Sequence, residues 1–289
     1  MSWQITLALL IVVQNISIVL TAIASKRIEK KSLGVFYQYF FCATATIIYA
    51  VTTSNFRLDP TVLGIMAVGF LNCIGNYFQW QVSGLSLSKT ALFFPLMEIV
   101  TITLAIIFLG EKNLWSITLI CAVVICFSTM LYFRFPKNKG NGKEGNESKQ
   151  WFAYAIAMVL IFGAAGFFIK FFSNKVPTET FLMGFYVGSF IGSLPLLAAE
   201  KQNPFKVRKK TIIWTLPIAA AIVSAVFILF WTYQLGGPVS FVIPIRGIGI
   251  TLIPIFTGWF FLKERRNLSA HDWLVFLIGI MAVILILTR

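Results

Sequence analysis

The stretch TALFFPLMEIVTITLAIIFLGE, residues 90–111, decides the fold of this chain of 289 residues. It is long and apolar enough to cross a bilayer as a helix. It nevertheless carries a proline, Pro95, and an acid within the apolar run, Glu98. An ionised group at the middle of a bilayer costs roughly 2.5–3.5 kcal/mol on insertion scales, so such residues usually have a function. The stretch therefore predicts a membrane helix that carries a charge to a functional site.

A second stretch, SFVIPIRGIGITLIPIFTGWFFLKE at residues 240–264, has the same design. Pro244 takes the place of the first proline, and Arg246 stands where the acid was. The two stretches end in similar tags, FLGEK at 108–112 and FLKER at 261–265. Helices weakened by proline at corresponding positions of two halves are typical of transport sites.

Composition places the whole chain in a membrane. The sequence is 58% hydrophobic and 12% charged, with a mean hydropathy of +0.85, whereas soluble domains carry about 25% charged residues. Apolar runs of membrane-spanning length recur, and none alternates as the strands of a membrane barrel do. The predicted fold class is an all-α membrane protein.

The apolar runs predict ten transmembrane helices, in two five-helix inverted repeats. The polar segment RFPKNKGNGKEGNESKQ has the Gly, Asn, Lys and Glu content of a flexible linker and divides the chain. The predicted domains are therefore a first repeat at 1–133, a linker at 134–150 and a second repeat at 151–289. Because each half has five spans, an odd number, the second half enters the membrane from the opposite face. The predicted spans are 3–24, 34–53, 61–82, 90–109, 114–133, 151–173, 178–198, 211–235, 239–262 and 270–288.

The net charge of +14 is a topology signal rather than a nucleic-acid footprint. Eighteen Lys and Arg residues lie in the loops after the odd-numbered spans, against five on the opposite face. By the positive-inside rule the eighteen are cytoplasmic and both termini lie outside. We expect a multi-pass protein of a bacterial cytoplasmic membrane whose partners are the lipid bilayer and a small-molecule substrate, with no nucleic acid.

The chain is not predicted to be an enzyme. Among its ten acids only Glu98 lies deep in a span, and the single histidine, His271, lies at the loop end of the last predicted span. Paired carboxylates, a metal-ligand set and a Gly-rich phosphate loop cannot be assembled at membrane depth. We therefore expect no cofactor, no metal, and transport driven by a gradient of substrate, proton or ion. The four cysteines fall in apolar runs and are interpreted as buried free thiols.

Glu98 and Arg246 are the leading site candidates. Counting from the helix starts, Glu98 lies about 12 Å and Arg246 about 10 Å deep from opposite faces. In a hydrocarbon core about 30 Å thick they are then separated by about 8 Å in depth. Either a direct ion pair or a ligand that bridges the two charges fits this estimate. We predict that Glu98 is the main binding and coupling residue and that Arg246 is its counter-charge.

Neutral side chains complete the predicted site. Span 3 carries Asn72, Asn76 and Gln79, which with Ser83 share one helical face because they are spaced four, three and four. Amides that face lipid would be unpaired, so this face is expected to line a cavity, although hydrogen bonding between helices is an alternative. Three side chains on other spans are further candidates: Gln14, Tyr37 and Trp231. Gly184, Gly188 and Gly192 on span 7 form a small-residue ridge, which predicts close helix packing.

The arrangement resembles the drug/metabolite transporter superfamily, EamA type. The resemblance covers nearly the whole chain and depends on Pro95 with the tag at 108–111 and Pro244 with the tag at 261–264. Lys263 stands where the family's glycine is usual. The resemblance implies an exporter or exchanger of small metabolites whose central site is lined by both halves. Many relatives are described with cytoplasmic termini, and here the charge count is preferred.

These features together predict a secondary transporter that exports a small polar metabolite, such as an amino acid, by alternating access. Glu98 and Arg246 offer one charge of each sign, which suits an ammonium and a carboxylate on one molecule. Three alternatives stay open: a nucleotide-sugar carrier that uses Arg246, a cationic-drug exporter that uses Glu98, and a membrane scaffold that transports nothing.

Overall fold

A computed structural model describes residues 2–55, 59–110, 143–207 and 209–262, and within these ranges every regular element is a helix. The helices are α1 (Trp3–Arg27), α2 (Lys31–Thr53), α3 (Thr61–Leu85), α4 (Leu87–Ala91), α5 (Phe94–Leu109), α6 (Lys143–Ser173), α7 (Thr178–Ala199), α8 (Lys209–Gln234) and α9 (Val239–Phe260).

Eight segments of the described chain are long and apolar enough to cross a membrane, with α4 and α5 together forming one of them, Leu87–Leu109. Large apolar side chains point outward from these helices, among them Val51 at 71%, Leu63 at 69% and Ile213 at 68% exposure. Outward-facing apolar surface is what lipid contact requires. This is the pattern of an all-α, multi-pass membrane protein. The spans predicted at 114–133 and 270–288 lie outside the described residues.

Helix α6 begins earlier than the sequence predicted. Residues 143–150 fall in the predicted flexible linker 134–150, yet they form the first turns of α6. Lys and Glu are good helix formers, and an existing apolar helix gives them a turn on which to propagate. The rest of the predicted linker, 134–142, lies outside the described residues.

The fourth span is broken at Pro95, where a single helix over 90–109 was predicted. A proline inside a helix lacks an N–H donor and its ring clashes with the carbonyl four residues earlier, here that of Ala91. Helix α4 therefore ends at Ala91, and α5 starts at Phe94 with the proline in its first turn. Helix α9, by contrast, contains Pro244 and runs through it without interruption.

The small-residue ridge of α7 packs against α3, as predicted. A Cβ atom on Gly188 would lie 2.6 Å from the Cα of Met66. The Ser189 hydroxyl donates a hydrogen bond of 2.8 Å to the carbonyl of Gly69. The two backbones can approach this closely only because glycines occupy the contact.

The helices of the two chain halves interleave. Helix α1 packs on α8 and α9, α2 packs on α7 and α8, and α3 and α5 pack on α6. Let α1, α2, α3 and α5 exchange places with α6, α7, α8 and α9, in that order. The pair α1–α8 then becomes α6–α3, and the pair α1–α9 becomes α6–α5. The charged helices α5 and α9 meet across this arrangement.

Candidate functional site

Glu98 and Arg246 form a buried ion pair where α5 crosses α9. The guanidinium donates from Nη2 to Glu98 Oε1 at 2.7 Å and from Nε to the same oxygen at 3.1 Å. Glu98 is 4% exposed and Arg246 6%. The direct contact answers the question that the depth estimate left open, because the two side chains touch without a bridging ligand.

A glycine lets the two helices approach at this point. Glu98 lies in the first turns of α5, immediately after the break at Pro95. On α9, a Cβ atom at Gly247 would lie 2.8 Å from Glu98 Cγ. A larger residue beside Arg246 would therefore displace the Glu98 side chain, so the sequence Arg246-Gly247 supplies both the charge and the space for its partner.

The carboxylate of Glu98 is used asymmetrically. Oε1 accepts both hydrogen bonds from Arg246, whereas Oε2 is buried and has no hydrogen-bond partner among the described residues. Leaving a buried acceptor unpaired costs about 1–3 kcal/mol, and more for a charged group. The site therefore contains one acceptor atom that can bind a donor without displacing a protein contact.

Helix α1 places Asn15, the neighbour of Gln14 in the chain, close to the ion pair. Asn15 Nδ2 donates to Ile11 O at 2.7 Å and to Gly249 O at 3.1 Å, which places it one helical turn from Arg246. Asn15 Oδ1 and Gln14 Oε1 are buried without partners in the described part of the chain. Gln14 was predicted as a site residue and Asn15 was not. The signal was present, since the two adjacent amides interrupt the apolar run of α1.

A polar contact of the same kind is made by α5, one helical turn after Glu98. Thr101 Oγ1 donates to Gly163 O at 2.8 Å, joining α5 to α6 as Asn15 and Gly249 join α1 to α9. Asn15 and Gly163 are 148 residues apart, as are Thr101 and Gly249, and the same separation relates the two residues of the ion pair. The same offset of 148 residues therefore relates all three pairs of positions.

The polar face of α3 makes hydrogen bonds between helices. Asn72 Nδ2 donates to the Tyr39 hydroxyl at 3.0 Å, and Gln38 Nε2 donates to Asn76 Oδ1 at 3.3 Å. Trp80 Nε1 donates to the other end of the Gln38 amide at 3.0 Å. The alternative weighed for this face, hydrogen bonding between helices, therefore describes Asn72 and Asn76.

Gln79 and Ser83 continue the α3 face toward the end where α3 finishes. Both are buried, and Ser83 Oγ has no hydrogen-bond partner within the described ranges. Among the described residues no hydrogen bond connects this face with Glu98 or Arg246. The predicted site is thus divided between an ion-pair layer and a separate α2–α3 polar cluster.

Tyr37 and Trp231 are not recruited to the ion pair by any described contact. The Tyr37 hydroxyl donates to the carbonyl of Pro204, in the loop between α7 and α8, at 2.7 Å. Tyr37 lies in the early turns of α2, so its hydroxyl reaches this loop. Its role in the site stays a prediction. Trp231 is half-buried and its ring lies 6.1 Å from that of Phe227.

Glu200 is a second acidic contact point that the sequence did not single out. Its Oε2 accepts from Ser32 Oγ and its Oε1 from the Tyr77 hydroxyl, both at 2.7 Å. It thereby connects α2, α3 and the end of α7 at the basic face of the bundle. Within the described ranges no group of three His, Cys, Asp or Glu side chains could hold a metal ion.

Comparison with known proteins shows the fold alone. No protein-family model matches the chain, and no curated protein matches it. A solved structure described as "Crystal structure of protein" has a similar fold, with a TM-score of 0.61 at 16% sequence identity. The match covers 96% of this chain and 95% of the other.

Proposed function

We propose that this chain is a secondary transporter of the drug/metabolite transporter superfamily, EamA type. In this proposal it has ten transmembrane helices, built as two inverted five-helix repeats, 1–133 and 151–289. The eight candidate spans among the described residues support the membrane class of the proposal, an all-α multi-pass protein. The helix pairs that exchange between the halves support it as well. The 148-residue offset between corresponding contacts at the ion pair is the third support.

The substrate is a small polar metabolite, such as an amino acid, exported across a bacterial cytoplasmic membrane by alternating access. The observation that carries the proposal is the buried Glu98–Arg246 pair, whose carboxylate has one oxygen without a partner among the described residues. A buried ion pair is often no more stabilising than apolar packing. Ionisable residues in membrane spans mark solute and proton paths. Glu98 is the binding and coupling residue in this proposal, and a proton or ion is the coupling species.

Two alternatives lose support at this site. A nucleotide-sugar carrier would need Arg246 for an anion, but two of its donors are engaged by Glu98. A scaffold that transports nothing would favour packing in which each buried polar atom is satisfied, whereas Glu98 Oε2 has no described protein partner. A cationic-drug exporter that uses Glu98 remains the second candidate, because the free atom is an acceptor.

Flux measurements in proteoliposomes test the proposal. A metabolite panel is screened for uptake and efflux, and the active solute is then followed with Glu98→Gln as a function of pH. The amide keeps the shape of the side chain and removes its titration, so pH-dependent transport should be lost while the protein still inserts and folds. Arg246 is the charged group that faces Glu98 from α9.

Glu179→Gln is the matched control. Glu179 is also an acid that contacts a neighbouring helix, with its Oε1 3.4 Å from the Tyr49 hydroxyl, but it lies in the first turn of α7. This variant should keep the native flux and pH profile. If Glu98→Gln transports at the native rate with the native pH profile, the transport site lies elsewhere and Glu98 serves only as an ion-pair partner.

A further inference from the structure

The unmet hydrogen-bonding capacity at the ion pair is that of an acceptor. A carboxylate has about four lone-pair sites, and at Glu98 the two occupied ones are both on Oε1. Oε2 is buried without a described partner, and the same holds for Gln14 Oε1 and Asn15 Oδ1 on α1. A ligand that satisfies such atoms must donate hydrogen bonds.

The charge at this atom selects a cationic donor. A protonated amine loses its hydration when it enters the bundle, and only a charged or strongly polar acceptor offsets that loss. An N⁺–H···O⁻ hydrogen bond is about twice as strong as a neutral one. An anionic group is less well matched, because two donors of Arg246 already bind Glu98, and the atom without a partner among the described residues is an acceptor.

We infer that Glu98 Oε2 receives the protonated amine of the solute, and that Arg246 stays on Oε1 as a positioning residue rather than binding the solute's carboxylate. The inference rests on the proposed function, since its ligand is the transported solute. The recognised class is a small molecule with a protonated nitrogen that carries at least one N–H. A carboxylate on the same molecule is not required. This narrows the substrate from zwitterions in general to amines, with or without an acid group.

The amides of α1 fit the same ligand. A primary ammonium has three donors. Asn15 is held by Gly249, one helical turn from Arg246, and its carbonyl oxygen is unpartnered within the described chain. Asn15 Oδ1 is therefore the neutral acceptor that we assign to a second N–H of the ligand.

Chemical labelling of the full-length purified protein tests the assignment without requiring that the solute be known. Dicyclohexylcarbodiimide is an apolar reagent to which a protonated carboxyl adds, giving an O-acylisourea that rearranges to a stable N-acylurea. Mass spectrometry of the peptide that contains Glu98 follows the adduct at mildly acidic pH. Glu98→Gln should abolish this adduct, and Glu179→Gln should leave it unchanged.

Three small probes of similar size distinguish the chemistry of the site. N,N-dimethylbutylamine is cationic and has one N–H, butyltrimethylammonium has the charge without the N–H, and hexanoate is an anion. The protonated amine should give half-maximal protection at a concentration on the order of tenfold lower than the quaternary ion requires, as expected for one charge-assisted hydrogen bond. Hexanoate should not slow it.

Opposite outcomes overturn the inference. Equal or stronger protection by hexanoate would place an anion at the pair, and equal protection by the two cations would leave Oε2 without a role as acceptor. Absence of protection by the amine overturns it too, because a ligand must reach this oxygen. Measured transport without protection by the amine would support the proposed transporter and contradict the amine site. Amine protection without flux for any solute would remove the transporter and keep an amine site.

Discussion

The buried charges of α5 and α9 are stable only as a pair. Removing two charges from water is costly, and their attraction repays this cost only if both partners are present with good hydrogen-bond geometry. Arg246 meets this condition by donating twice to one oxygen of Glu98, at 2.7 and 3.1 Å. Truncating either side chain to alanine leaves the other as an unpaired charge at 4–6% exposure, whereas Glu98→Gln keeps an oxygen that can accept from Arg246.

We predict that Arg246→Ala destabilises the protein by about 3–5 kcal/mol, the usual cost of stranding one partner of a buried pair. The double variant Glu98→Gln with Arg246→Ala should recover a large part of this loss, because it removes the stranded carboxylate. Unfolding in a fixed detergent, followed by fluorescence against denaturant, measures both. A double variant as unstable as Arg246→Ala would show that the cost comes from the lost arginine side chain and not from the charge.

The sequence singled out the two charges that the structure brings together, but not Asn15 near them. Glu98 and Arg246 stand out because each is a lone charge within an apolar run. The contact between them could not be predicted from the sequence, because a depth counted from the helix starts ignores helix tilt and the break at Pro95. Asn72 and Asn76 were correctly assigned to one face, but the partners on α2 that bind them, Tyr39 and Gln38, are selected by packing between helices.

Proline has different consequences in the two corresponding helices. Pro95 separates α4 from α5, so that Glu98 follows a new helix start, whereas Pro244 remains inside α9. The sequence predicted weakened helices at both places and could not predict which would break. The lengths of the spans were predictable from the apolar runs, but the start of α6 at residue 143 was not, because a polar sequence can extend a helix that packing already holds.

The contact of α7 with α3 provides a prediction at the scale of the element. Gly188→Ala would place a Cβ 2.6 Å from the Met66 Cα, and the backbone cannot yield as a side chain can. We expect a loss of about 1–3 kcal/mol, as for overpacked cores. Gly184→Ala is the matched control. The atom nearest to its added Cβ would be Ile65 Cγ2, at 3.2 Å. Alanine is a better helix former than glycine by about 1 kcal/mol.

Unfolding midpoints in one detergent distinguish the two glycine variants. The Gly188→Ala midpoint should fall and the Gly184→Ala midpoint should stay near the native value. Equal midpoints for the two would mean that α7 moves away from α3 without cost and that the ridge does not set the distance between these helices.

The halves of the molecule depend on each other because most large contacts join one half to the other. The Asn15–Gly249 and Gly163–Thr101 contacts flank the ion pair at equivalent positions. In the transporter that we propose, rocking one half against the other would open a site between them toward either face, as in inverted-repeat transporters. Glu200, which connects α2, α3 and α7 at the basic end, has no counterpart at its 148-residue offset, where Thr52 stands.

The inverted architecture and the predicted orientation can be tested together with two cysteines. Lys30 lies in the loop between α1 and α2, and Lys175 lies in the corresponding loop between α6 and α7; both are exposed. Because the second half enters from the opposite face, these loops should lie on opposite sides of the membrane, with Lys30 in the cytoplasm according to the positive-inside rule. In a background without the four natural cysteines, Lys175→Cys should react with a membrane-impermeant maleimide in intact cells. Lys30→Cys should react only after lysis. Labelling of both from the same side would contradict the inverted repeat, whereas the reversed pattern would keep the repeat and place the termini in the cytoplasm.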